Sequence, residues 1–388
     1  MRTLVLLFAA AALVPAQPNQ LTPEQIRAGW ILLFDGESLF GWTPEGKAEW
    51  RVQDGSIVAD AGGDGWLRQN TSFSDYVLHI EFRASAPNTN SGVFFRSAET
   101  GEPHITGYEL QIWDKHEKYP TGSLVNYAAT DKGHLTPGQW QSFDLEAAGD
   151  HYTVRLDGRI ILDAHDAHSL IGHLGLQHKA NNSIAFRDIR LKPLGLKPLF
   201  NDGDLSGWNI VDAPKPQERP QWTMRDGVLH VEKGPGGLES VKQFKDFVMQ
   251  VEVRTNPVQA GLHPNSGIFI RGTPGVFWSG YESQIQNGYK NGDRTQPEDY
   301  GTGAIYRNQP ARRVVSNDGE FFTMTTVARG RHFSVWVDGY PVTDWEDPHP
   351  EGKSVRAKEA VLTPGVIILQ AHDPTTNLDF RNFRAAEF

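Results

Sequence analysis

The chain has 388 residues, 38% hydrophobic and 22% charged, with a formal net charge of −10: enough for two ordinary domains, each burying its own core. It holds no cysteine, which excludes disulfides, thiolate metal sites and thiol catalysis. The charge is acidic and no basic stripe is present, so nucleic acid is excluded as a partner.

In chain order, the first stretch reads as an address. Arg2 precedes the apolar run 4–14, and Val14-Pro15-Ala16 suits cleavage before Gln17, so 1–17 is expected to be a signal peptide and the protein periplasmic or secreted. The run is shorter than the roughly 20 residues that span a bilayer, and no later segment qualifies as a membrane span. Pro23 to Gly29 could form one short helical turn, and no long amphipathic helix is evident beyond it. The rest of the chain is built of short segments with period-two alternation, such as "YVLHIEFR" (76–83) and "HYTVRLDG" (151–158), punctuated by Asp-Gly pairs at 54–55, 157–158, 226–227 and 338–339. Gly 39 and Pro 24 supply the turns of an all-β chain.

These segments occur twice. "LFDGESLFGW" (33–42) returns as "LFNDGDLSGW" (199–208), "NSGVFFR" (90–96) as "NSGIFIR" (265–271), and "GYELQIW" (107–113) as "GYESQIQ" (280–286). The order is collinear from end to end, which makes the chain a duplicated domain, 26–194 then 197–388, joined through the short "KPLGLKPL" (192–199). So short a link predicts two units packed together. Each unit is expected to be an antiparallel β-sandwich.

Side chains alternate across a strand, which puts Glu109, Gln111 and Trp113 on one face and Glu282, Gln284 and Gln286 on its counterpart. By the same rule Arg96 shares a face with Phe94, and Arg271 with Phe269. An arginine, a glutamate, a glutamine and an aromatic ring suit an open face for a polyhydroxylated ligand, although a structural salt bridge on a solvated sheet explains any one of them equally well. The Asn-Ser-Gly words are read as serving backbone geometry. Near the last strand, "GLQHKANN" (175–182) and "ILQAHDPTTN" (368–377) each place a histidine after a glutamine. Gln370 and His372 share a face in a regular strand, whereas Gln177 and His178 do not. A neutral histidine beside a carboxylate is a proton-transfer pair near neutral pH. "HDAH" (165–168) reads as solvated loop rather than metal motif. The longer "QNGYKNGDRTQPEDYG" (286–301) of the second unit is a loop that could close over a ligand.

The ordered series "LFDG…W", "W.v.DG", "NSG.f.R", "GYE.QI", "TG", "W" and "LQ.H…FR.i" resembles the 3-keto-disaccharide hydrolase family, over nearly all of 30–194 and less closely over 197–388. The resemblance implies two tandem concanavalin-like (laminarinase-like) jelly rolls, export, and a carbohydrate partner. It also implies cleavage of glycosides oxidised at C3, by hydrolase or lyase and hydratase chemistry. A C3 ketone acidifies the C2 proton; its removal gives an enolate that expels the C1 substituent, and water then adds. The site needs a base, donors for the enolate oxygen and an acid for the leaving group. Carried over by motif, Glu109 and His178 are the proton-transfer candidates of the first unit, with Arg96, Gln111 and Gln177 gripping the sugar. Glu282, His372, Arg271, Gln284 and Gln370 match them in the second. The resemblance leaves open whether Glu or His is the base. No metal ligands and no cofactor are expected, with a divalent metal on the enolate as the alternative, though no strong ligand motif supports one. Two other readings compete. One is a non-catalytic carbohydrate-binding or interaction protein. The other, ranked last, is a retaining glycosidase, which needs two carboxylates about 5–5.5 Å apart where this strand offers Gln111.

Overall fold

The computed structural model describes residues 17–201, 203–214, 216 and 218–388. The expected export signal lies outside these apart from Gln17. Thr22 opens the helix Pro23–Arg27 with a capping box closed by Gln25, and almost everything after it is strand or turn. All four Asp-Gly pairs form hairpin turns with both residues in the left-handed region, for example Asp54 at φ 50° and Gly55 at 68°. Every strand pairing within the sheets is antiparallel, giving two β-sandwiches in tandem.

Period-two patterning governs the packing as expected. In Tyr76–Ala84 the residues Tyr76, Leu78, Ile80, Phe82 and Ala84 are buried while those between them reach solvent. In the second half the sandwich separates cleanly. Trp208–Asp212, Gly236–Phe244, Gly365–Ala371, Ser266–Gly272 and Tyr281–Ile285 make a five-stranded sheet, and eight further strands make the other. In the first half one 18-residue strand, Ser56–Phe73, runs through both layers, so the whole half is a single curled 11-stranded sheet. Its counterpart is cut into Val228–Glu232 and Gly236–Phe244, with Pro235, which has no N–H to donate, in the gap.

The two halves pack on each other. Trp336 Nε1 donates to Leu32 O at 2.8 Å, Leu32 N donates to Gly339 O at 2.8 Å, and Arg312 pairs with Asp35 at 2.5 Å. Val248, Val327 and Trp336 of the second half belong to the hydrophobic core of the first. Truncating Trp336 to Ala is expected to cost about 3–5 kcal/mol. Chemical denaturation of that variant should show two separated transitions where the parent shows one.

Candidate functional site

Each half carries a pocket on the outer face of its Glu/Gln strand. In Tyr108–Ile112, the residues Tyr108, Leu110 and Ile112 enter the core, and Glu109 and Gln111 face the pocket, with Trp113 just beyond the strand. Glu109 lies opposite Phe94 and Gln111 opposite Gly92; in the second half Glu282 lies opposite Phe269 and Gln284 opposite Gly267. Gln177 and Gln370 reach the same pockets from the neighbouring strands Gly172–His178 and Gly365–Ala371. The first cavity is about 630 Å³ and the second about 410 Å³.

The Asn-Ser-Gly words do more than bend the chain. Ser91 Oγ and Ser266 Oγ each donate at 2.7 Å to the carbonyl of the pocket glutamine, Gln177 and Gln370. A Cβ on Gly92 would sit 2.8 Å from Glu109 Oε1, and one on Gly267 only 2.5 Å from Glu282 Oε1. These glycines therefore leave room for the carboxyl groups. Asn265 lines its pocket and accepts from Gln284 Nε2 at 3.2 Å. Gly267→Ala is expected to displace the Glu282 carboxyl and to lower activity at least about tenfold while moving stability by no more than about 1–2 kcal/mol. Kinetics and a melting curve on the same preparation check this.

Burial dominates the electrostatics. It raises the Glu109 carboxyl to about 7, against a hydrogen bond from Gln177 Nε2 to Oε1 at 2.9 Å. It raises Glu282 further, to about 8, helped by the negative charge of Asp299. Both carboxyls hold their proton far above the usual carboxylate range.

Arg96 and Arg271 line neither pocket. Sequence alternation puts Arg96 beside Phe94 on the ligand face, but Phe95 and Arg96 together stand against the single residue Leu174 in a β-bulge, with Arg96 at φ 52°. The extra residue turns the guanidinium to the opposite face, where it is fully buried over the Tyr152 ring. It donates to Ser74 O, Gly149 O, Tyr152 Oη and Asp75 Oδ1 at 2.6–2.9 Å. Arg271 repeats this at φ 53°, bonding Lys245 O, Gly330 O, Val361 O and Asp246. Both arginines tie loops to the core instead of gripping a sugar.

His178 lines the first cavity but is not placed for the proton transfer expected of it. It faces away from Gln177, is fully buried, and its ring nitrogens sit 3.0 Å from Gly63 O and 3.1 Å from Asn182 O. With both ring nitrogens turned to main-chain carbonyls, neither faces a substrate proton. His372 differs: it lines the pocket with Glu282 and Gln370, and its Nδ1 lies 2.8 Å from Asp373 Oδ2. Lys179, bonded to Asp64 at 2.5 Å, takes its place in the first half.

Several pocket residues carried no signal in the repeat because they occur in one half only. In the second pocket these are Trp278, Tyr306, Arg307, Arg356 and Lys358, with the Arg356 guanidinium 5.5 Å over the Trp278 ring. In the first they are Trp66, His104 and His116. Asp299, from the long loop of the second half, does not line the cavity but accepts from two residues that do, through Gln284 Nε2 and Asn265 Nδ2. Among the described residues, one trio has metal-ligand geometry, His79, Glu81 and Asp188. It lies outside both pockets, and Asp144, Arg187 and Arg190 already engage its members. In "HDAH", Asp166 accepts from the Tyr108 hydroxyl at 2.7 Å.

The model of the 3-keto-alpha-glucoside-1,2-lyase-like domain matches this chain twice, over residues 29–192 and 195–386. The chain belongs to that family. Membership in the 3-keto-alpha-glucoside-1,2-lyase-like family makes it a carbohydrate-active, hydrolase-like protein. A 3-keto-disaccharide hydrolase of Bacteroides thetaiotaomicron is 27% identical over 119 residues, spanning 25% of this chain and 40% of that protein. The chain thus matches less than half the length of that relative. A solved structure of a candidate glycosyl hydrolase from Parabacteroides distasonis is 21% identical, with a TM-score of 0.42, covering 46% of this chain and all of that one. A carbohydrate-binding module, CBM66 from Bacillus subtilis, is 22% identical with a TM-score of 0.32, covering 39% and 95%. Both likenesses concern the sandwich alone. Among the described residues no helix is long and apolar enough to cross a membrane.

Proposed function

We propose that the chain is an exported enzyme that cleaves 3-keto-glycosides, and that the reaction runs in the pocket of the second half. The observation that carries this is a carboxyl group of raised pKa, Glu282, sharing a cavity with an aspartate-oriented histidine, His372, and with Arg307 and Arg356. A proton on Nδ1 donated to Asp373 leaves a lone pair on Nε2, which makes His372 the base for the C2 proton. As C2–H breaks, its electron pair forms the enolate, whose O3 charge Arg307 and Arg356 offset. The enolate collapses to the ketone, C1=C2 forms and the C1–O bond breaks. Glu282, still protonated at neutral pH, gives its proton to the leaving oxygen. Water then adds to C1 and a proton returns to C2, so the net change is hydrolysis.

A retaining glycosidase is disfavoured because Glu282 is the one carboxylate among the described residues lining this cavity. In the first half Asp114, the acid that follows the Glu109 strand in sequence, accepts the Leu135 N–H, and Asp64 is paired with Lys179. Purified protein should release product from a 3-keto-glucoside and none from the unoxidised glucoside; equal rates on both would overturn the reading. Because the acid must be protonated, the rate should fall as pH rises through about 8. A pH–rate profile flat across that range would remove Glu282 as the acid.

A further inference from the structure

We infer that the pocket of the first half is a separate, non-catalytic binding site for a neutral, unoxidised pyranose oligosaccharide. The assignment of this pocket as non-reacting rests on the reading of the second pocket as the reacting one.

The two pockets can be matched position by position. Gln177 pairs with Trp66 as Gln370 pairs with Gly237, and the bridges Leu124 to Ala128 and Ile305 to Gln309 align the adjoining turns. At the matched positions Glu109 keeps the place of Glu282, but the base and a cation are gone. Lys179 stands for His372 and is held by Asp64, and Asn126 stands for Arg307. Among the described residues, the first pocket's lining carries Glu45, Asp64, Glu102 and Glu109 with no arginine and one lysine, Lys179, which Asp64 holds. Arg307, Arg356 and Lys358 instead line the second cavity with Glu282. With that lysine already paired, the described lining of the first pocket offers an enolate no free cation, unlike the second.

The residues that the first pocket keeps and adds are suited to binding. Glu109, Gln111 and Gln177 remain as hydroxyl partners, and Gln177 Oε1 is buried with no partner among the described residues. A hydroxyl donated by a ligand would satisfy that oxygen. Trp66 comes in where the second half has Gly237, and the matching exchange is Gly175 for Ile368. A Cβ on Gly175 would lie 2.2 Å from the Trp66 ring, so the glycine makes the space that the indole fills. Trp66 packs edge-on against Phe94 at 5.7 Å, and Trp113 stands half-exposed at the rim against His116. Apolar rings beside neutral and acidic acceptors fit uncharged sugar rings, which offer C–H faces and hydroxyl donors. The larger volume, about 630 Å³ against about 410 Å³, leaves room for more than one ring.

The test is calorimetric titration of the full chain with unoxidised cellotriose and, separately, maltotriose. At least one should bind. Trp113→Ala and Gln177→Ala should each weaken binding at least about tenfold, Trp113→Phe should restore most of it, and Glu282→Gln should bind as the parent does. Failure of both trisaccharides to bind would overturn the inference. So would unaltered binding by Trp113→Ala and Gln177→Ala, or loss of binding in Glu282→Gln. Absence of turnover on every keto substrate would sink the reaction in the second pocket and leave the binding isotherm standing.

Discussion

Replacing Glu282 by Gln is expected to lower turnover of a 3-keto-glucoside by about 10²–10⁴-fold, the usual contribution of one positioned acid. The variant keeps the shape and loses only the transferable proton, so the protein should remain folded. Its stability should change in a direction opposite to its activity. The unfolded carboxyl titrates near 4.5 and the folded one near 8, so between these values the unfolded state gives up a proton that the folded state keeps. Native stability contributed by this group is therefore present below about 4.5 and lost as pH rises through about 8. Glutamine has no such dependence. At about pH 9 the Gln variant should be more resistant to denaturant than the parent, on the order of a few kcal/mol, with the gap closing near pH 4. The matched change Glu109→Gln should show the same stability trend with its upper limit near 7 and should spare the chemistry.

Arg96→Met and Arg271→Met are each expected to cost about 3–5 kcal/mol, because either one leaves Asp75 or Asp246 and several loop carbonyls without the guanidinium that satisfies them. The fork of donors is planar and fully used, so lysine should not restore it. Denaturation midpoints measure this directly. A folded Arg96→Met protein of parental stability that failed only in sugar binding would return the arginine to the ligand face and overturn the account of the bulge.

The bulge also marks where the sequence stops being legible. Alternation correctly separated Glu109 and Gln111 from Tyr108 and Leu110, because Tyr108–Ile112 is a regular strand half in the core. The same rule failed on the neighbouring strand at Arg96, since one residue in the left-handed region reverses every side chain beyond it, and an arginine there gives no compositional warning. Gln370 with His372, and Gln177 apart from His178, came out as alternation predicts. The Asn-Ser-Gly glycines looked like turn residues because space left for a carboxyl on a neighbouring strand is invisible until the strands are paired. Trp278, Arg307 and Arg356 come from loops that the two copies do not share, so comparison of the repeats could only point to where they differ. The antiparallel sandwiches themselves were readable from the Asp-Gly turns and the burial alternation of Tyr76–Ala84.

The most direct test tracks the C2 hydrogen. Incubating the full chain with a 3-keto-glucoside in heavy water and reading the product by NMR should show deuterium at C2, because the proton is first abstracted by His372 and later replaced from solvent. Cleavage that leaves the original hydrogen at C2 would contradict proton abstraction there and, with it, the chemistry assigned to Glu282 and His372.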